Sequence, residues 1–351
     1  MPRTFLPILV FLVCLACCAP AFSASPQPAW AAHGMVASAE RHATGVGVQV
    51  LERGGNAVDA AVAVALALGV TEGYSSGLGG GCFILIRLAD GTSVAIDGRE
   101  TAPARASRLM FVPRDTLKPS TLSTEGVVAA ATPGELAALD LAVRDYGTLP
   151  LADLLEGAIA LADTGFDLDM RYARSISTNR ELLSRFEGSR RVLFKSDTIP
   201  LAFGDRLVQS DLAGMLSRVQ AEGIEAFYHG EIPKLVESYL QPQGGVLSAR
   251  DFAAYRPAVR PPVIGTYRGY EVLSMPPPSS GGVHVIQILN ILESFNLGYF
   301  GAGSSESVHL IAEAMQLAFA DRPSTSVIPT LPLSPSRDFS ARSTQLRSEE
   351  R

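Results

Sequence analysis

The chain has 351 residues, with 29 Lys and Arg against 35 Asp and Glu, a formal charge of −6 and a sequence pI near 5.5. That balance excludes a protein that grips nucleic acid by neutralising phosphates. With 47% hydrophobic and 18% charged residues, the composition also excludes a chain left unfolded for want of a core. The length suffices for a sizeable core and leaves two broad classes, an enzyme or a large binding protein.

Residues 1–23 read as a secretory signal peptide. Arg3 supplies a short positive start, Phe5 to Cys18 is apolar, and Ala21 and Ser23 stand at −3 and −1 of a cleavage point. The apolar run is short of the ~20 residues that span a bilayer, so a stable membrane span is not expected. A lipid-anchored variant ending near Cys17 and Cys18 fits less well. The expected location is periplasmic or secreted. Three of the four cysteines lie in this leader, which leaves Cys82 without a partner for an internal disulfide. His33, His42, His229, His284 and His309 show no metal-ligand spacing, so neither a metal nor another cofactor is expected.

Ala43 to Arg53 reads as a helix stopped by Gly54-Gly55. Asn56 then caps a second helix, Ala57 to Val70, apolar nearly all round and rich in Ala, as a helix packed on several sides requires. Asp59, inside that apolar run, needs a local hydrogen-bond donor. Gly79-Gly80-Gly81 leads into an apolar strand from Cys82 to Leu88, Asp90-Gly91 marks a hairpin, and Ser93 to Asp97 returns. Phosphate-binding glycine loops follow a strand and open a helix. Here the glycines open a strand, so their expected role is close backbone packing.

Further helices are expected over Gly134–Tyr146, Leu151–Asp163, Leu212–Gln220 and Ile232–Leu240, followed by β-like stretches VIGTY and GYEVL between Tyr255 and Leu273. Pro276 to Pro278 stiffen a loop, and Ser279-Ser280 is placed to cap a helix from Val283 to Phe295. Ser307 to Ala320 is the last expected helix. Ser280 and His284 lack the third group of a nucleophile–base–orienter set and are not assigned a catalytic role. There is no internal repeat or linker, which favours one helix-and-sheet domain over residues 24–322. The last 29 residues, 323–351, contain four Pro and ten Ser or Thr without apolar periodicity, the composition of a disordered tail.

GGNAVDAAVA, GLGGGCFILIR, IDGRETAP and MPPPSSGG, in this order and spacing, resemble the γ-glutamyltransferase (glutathione hydrolase) family, and residues 35–322 resemble its large subunit. The resemblance implies an α+β fold of the N-terminal-nucleophile hydrolase type, two sheets sandwiched between helix layers (αββα), incomplete here without the small subunit. It implies a precursor that cleaves itself, so that the new N-terminal Thr of the small subunit attacks the γ-glutamyl carbonyl of glutathione or a related amide. Water or an amino acid then takes the acyl group.

Carried over to this sequence, the resemblance makes Arg99 the residue that grips the substrate α-carboxylate. A guanidinium fork matches a carboxylate bidentately and fixes its angle. The competing reading is an ordinary ion-paired Arg between Asp97 and Glu100. No catalytic residue is expected within the chain itself, because the T-T-H motif that carries the nucleophile is missing from it.

After Ala320-Asp321-Arg322 the family continues with Y-L-G-D-P-D, where this chain has PSTSVIPTLPLS. The codons TAC CTC GGT GAT CCC GAC, read one base later, give Thr-Ser-Val-Ile-Pro-Thr, the sequence of Thr325 to Thr330. The reading is a frameshift near Arg322, with 323–351 out of frame and the chain inactive alone, its sheet edges and apolar faces uncovered. The alternatives are a related acylase of the same fold and, from another class, a non-enzymatic periplasmic solute-binding protein.

Overall fold

The computed structural model describes residues 28–112, 121–196 and 198–321. The expected signal peptide (1–23) and the divergent tail (323–351) lie outside the described residues. Residues up to Met35 form a separate unit, whose described part has no helix or strand. The body begins at Val36.

Two helices open the body. In α1 (Arg41–Glu52), Glu40 is the cap, its carboxylate accepting from the amides of His42 and Ala43 at 2.8 and 3.0 Å. In α2 (Ala57–Thr71), Asn56 Oδ1 accepts from Val58 and Asp59 while Asp59 Oδ2 accepts from the Asn56 amide, a reciprocal capping box. The hairpin follows as expected, β1 (Cys82–Arg87) antiparallel to β2 (Ser93–Gly98) with Cys82 opposite Gly98.

Helices α3 (Glu135–Tyr146) and α4 (Leu151–Thr164) come next, then α5 (Ser210–Glu222), α6 (Glu231–Leu240) and α7 (Ala249–Ala254). A short strand, β3 (Ala258–Arg260), joins β2 and completes a three-stranded sheet ordered β1-β2-β3. The two predicted β stretches form a separate hairpin, β4 (Val263–Tyr267) with β5 (Tyr270–Ser274), turning at Arg268 and Gly269, both at positive φ. Two helices, α8 (Gly281–Leu292) and α9 (Ser305–Ala320), close the described body.

The core is built around α2. Val62, Ala63, Leu66, Ala67 and Val70 are buried there among residues of α1, α3 and α4, and its many alanines let these helices approach closely. Leu136, Leu154, Leu155 and Leu216 are fully buried in the same cluster, each contributing roughly 1.5–3 kcal/mol by leaving water. The molecule is therefore of the α+β class.

Two local expectations change. The helix expected over 283–295 starts at Gly281 and stops at Leu292. Ser280 already has helical backbone angles, and its side chain makes no capping bond. A capping hydroxyl reaches the second or third amide only from an extended residue. Asp59 takes its local donor and also three distant ones: Thr148 N at 3.0 Å, Thr148 Oγ1 at 2.6 Å and Leu149 N at 3.3 Å. It ties the start of α2 to the turn between α3 and α4.

Candidate active site

Arg99 follows directly on the last residue of β2, and its main chain is held at both its amide and its carbonyl. Its amide donates to Asp97 Oδ1 at 3.1 Å. Its carbonyl accepts from the Tyr255 hydroxyl at 2.8 Å. Buried Asp97 is itself fixed by Arg260, whose Nε and Nη2 both lie 2.9 Å from Oδ2. The sheet supplies this anchor, since Arg260 comes from β3.

The guanidinium is freer than the backbone. It is half exposed, lies 5.6 Å from the Phe83 ring centroid, and pairs through Nε with Glu100 Oε2 at 3.1 Å. The paired-Arg reading thus holds for Glu100, whereas Asp97 is committed to Arg260. An exposed pair of this kind is worth about 1 kcal/mol or less. A competing anion would displace Glu100 at small cost.

Arg99 and Glu100 stand at a cavity of about 1150 Å³. The turn Gly73–Cys82 forms one wall, with Glu135 at the start of α3 beside it, and Phe227 and Phe252 contribute to its apolar lining. Glycine is required at one point of this wall and at a second point behind it. A Cβ on Gly81 would lie 2.4 Å from Gly98 O and 2.8 Å from Arg99 Cα. A Cβ on Gly134 would lie 2.4 Å from Gly98 O and 2.0 Å from the Tyr255 hydroxyl. The glycine run therefore brings the backbone close to the Arg99 strand end, the packing role expected of it.

Burial sets the protonation of the wall. It raises the carboxyl of Glu135 to about 7, with the neighbouring Glu100 charge adding to it against a hydrogen bond from the Gly77 amide. Burial, with Glu135, Glu100 and Asp97 nearby, pushes the Cys82 thiol up to about 12. Cys82 is thus a neutral thiol and no nucleophile at neutral pH. Burial likewise raises Tyr255, ahead of the charges of Asp97, Cys82 and Glu100, which keeps its hydroxyl a donor to Arg99.

Of the other singled-out residues, His284 turns Nδ1 to the Ser280 carbonyl rather than to its hydroxyl, so the two make no nucleophile–base pair. Among the described residues no cluster of three His, Cys, Asp or Glu could hold a metal ion, and no helix is long and apolar enough to cross a membrane. Sequence reasoning missed Glu135, Tyr255 and Arg260. Glu135 carries a weak signal, an acidic residue opening a helix after Pro133-Gly134; Tyr255 and Arg260 carry none that separates them from other residues of their type.

The gamma-glutamyltranspeptidase family model matches residues 43–331. The chain belongs to that family. It is 45% identical over 297 residues to the glutathione hydrolase proenzyme of Escherichia coli (strain K12), covering 84% of this chain and 51% of that protein. It is 42% identical over 309 residues to the acylase ACY 1 proenzyme of Pseudomonas sp. (strain SE83), 86% of this chain and 55% of that protein. The chain thus spans about half the length of these relatives. In structure it resembles Helicobacter pylori gamma-glutamyltranspeptidase, with a TM-score of 0.84 at 38% identity, over 88% of either chain.

The fold of this γ-glutamyltranspeptidase family member is accordingly that of the N-terminal-nucleophile hydrolases. Membership in a family of glutathione hydrolases and acylases decides against the solute-binding alternative.

Proposed function

We propose that this chain is the substrate-clamping part of a γ-glutamyl acyltransferase and hydrolase acting on glutathione and related γ-glutamyl amides. The observation that carries the reading is Arg99, a half-exposed guanidinium on a fixed backbone at the mouth of a cavity, with only a weak ion pair to give up. Its fork takes the α-carboxylate of the γ-glutamyl group and sets the angle at which the γ-carbonyl is presented.

The chemistry belongs to a second subunit. Its N-terminal Thr hydroxyl adds to the γ-carbonyl, with the proton passing to its own α-amine. The C–N bond breaks, the leaving amine takes the proton, and a γ-glutamyl–Thr ester remains. Water or an amino acid then cleaves that ester. No residue of this chain takes the nucleophile's place, so it is inactive alone.

Two features support a partner of this kind. On the outer strand β1, Phe83 and Leu85 are 38% and 44% exposed, and among the described residues β1 pairs only with β2. On α8 and α9, Val285, Val308 and Met315 are exposed, an apolar face suited to a packed second subunit. The leader read over residues 1–23 supports a periplasmic or secreted location, and the divergence after Arg322 is read as a frameshift. The acylase relative supports a second substrate reading, an amide whose acyl group carries a free carboxylate for Arg99.

The test is release of p-nitroaniline from γ-glutamyl-p-nitroanilide. The 351-residue chain alone should release none. Co-expressed with a family small subunit bearing the N-terminal Thr, it should become active, and Arg99→Ala should remove that activity. Turnover by the chain alone would overturn the division of labour.

A further inference from the structure

The cavity at Arg99 is larger than the group that Arg99 would hold. A γ-glutamyl group has nine non-hydrogen atoms and, at roughly the 30 Å³ share of a water molecule for each, fills about 270 Å³. The cavity is about 1150 Å³, whereas close-packed interiors leave few voids larger than a water molecule. Most of it is space for something other than the glutamyl group.

The walls differ in character. The Gly73–Cys82 turn, Arg99, Glu100 and Glu135 make the polar part. The rest comes from helices. Leu212 and Met215, three apart on α5, and Ile232 and Val236, four apart on α6, each share a helix face. Val192 and Leu193 join them from the short helix Glu187–Leu193. All six line the cavity and are half-buried. On α5 the buried residues are others, Ala213, Leu216 and Val219, so Leu212 and Met215 form a second apolar face turned to the cavity. Phe227 and Phe252, both buried and packed edge to face with ring centroids 5.9 Å apart, complete this wall.

Polar groups are few on this side. Gln209 lines the cavity but donates its amide nitrogen to the Val70 carbonyl at 2.9 Å, and Tyr172 packs edge-on against Tyr74. Among the described residues, α5, α6 and the short helix place no Lys or Arg in the lining. An apolar wall of this extent gains most from an apolar occupant. Continuity with Arg99 says which occupant. With the α-carboxylate on the guanidinium, the amine joined to the γ-carbonyl is the part of a γ-glutamyl amide whose size varies.

We propose that this apolar wall is the subsite for the amine portion of the γ-glutamyl amide, and that Leu212, Met215, Ile232 and Val236 select amides whose amine carries a large apolar or aromatic group. This rests on the assignment of Arg99 as the carboxylate clamp. The cysteinylglycine portion of glutathione suits the wall poorly, because its carboxylate would leave water without meeting a cation there.

The experiment is a calorimetric titration of the 351-residue chain with γ-L-glutamyl methylamide, γ-L-glutamyl 2-naphthylamide and glutathione. The naphthylamide should bind about tenfold or more tightly than the methylamide, from the apolar area it buries. Glutathione should gain nothing over the methylamide. Val236→Trp and Met215→Trp each fill the cavity from a half-buried position. With folding shown by circular dichroism, either should bring the ratio of naphthylamide to methylamide affinity toward one. The wild-type comparison needs no variant and decides the matter if neither variant folds.

Equal affinity of the wild type for the two amides would overturn the inference, as would glutathione binding as tightly as the naphthylamide. So would a naphthylamide preference that survives in the folded tryptophan variants. Failure of the Arg99 assignment has a different signature: none of the three ligands binds, or binding of the methylamide is undiminished in Arg99→Ala. Either would remove the clamp and this inference with it.

Discussion

The hydroxyl of Tyr255 donates to the main-chain carbonyl of Arg99 at 2.8 Å across 156 residues of sequence. It joins the residue after α7 to the end of β2 and sits where a side chain on Gly134 would otherwise be. Tyr255→Phe should leave that carbonyl without its donor. Urea unfolding should show a loss of about 1–2 kcal/mol, and L-glutamate affinity should fall with it, because the backbone that carries the guanidinium is loosened.

Glu135 predicts an unusual pH profile of stability. Its folded carboxyl, raised to about 7 from an ordinary 4.5, binds protons that the unfolded chain has already released. Stability therefore falls as pH rises from about 4.5 to about 7 and levels off above. Glu135→Gln should remove this loss. Its stability relative to wild type should rise across that window, by roughly 2–3 kcal/mol at pH 8, measured as urea midpoints at several pH values.

Asp59 behaves in the opposite sense. Burial alone would raise its carboxyl, but the donors from Thr148, Asn56 and Leu149 outweigh that and hold it below the ordinary value. Its contribution is complete above the ordinary value and is lost as pH falls through the lowered one. Asp59→Asn should cost about 2 kcal/mol at pH 7. The gap from wild type should close in acid, as thermal unfolding across pH would show.

Much of this was legible in the sequence. The β1–β2 hairpin was, because alternating and turn residues are local signals. So were α2 and its Asn56 cap. Arg99 was singled out by a motif resemblance just after the return strand, whereas its closeness to the glycine turn is visible only in the packed backbone. What the sequence withheld is long-range. Tyr255 reads as a residue near a β stretch until its hydroxyl is seen on Arg99. Arg260 reads as one more charge until a short third strand brings it to Asp97. Glu135 fits the ordinary preference for acids at a helix start, and only the packed turn reveals its burial. Ser280 misled because a hydroxyl before a helix signals a cap only when its backbone is extended.

Gly81→Ala tests the close approach itself. Its Cβ would press on main-chain atoms of Gly98 and Arg99, which cannot swing aside as a side-chain end can. The strand opening must shift, at a cost of about 1–3 kcal/mol. Gly79→Ala, where no atom lies within 4 Å of the added Cβ, should be tolerated. Urea unfolding of the two variants side by side checks the contrast.

The central claim is that Arg99 reads an α-carboxylate. The most direct test is calorimetric binding of L-glutamine, whose side-chain amide mimics a γ-glutamyl amide, against isoglutamine, in which the α-carboxylate is the amide instead. The account predicts that L-glutamine binds, that isoglutamine does not, and that Arg99→Lys weakens L-glutamine about tenfold by losing the bidentate fork. Equal binding of the two ligands, or an Arg99→Ala chain that still prefers L-glutamine, would contradict it.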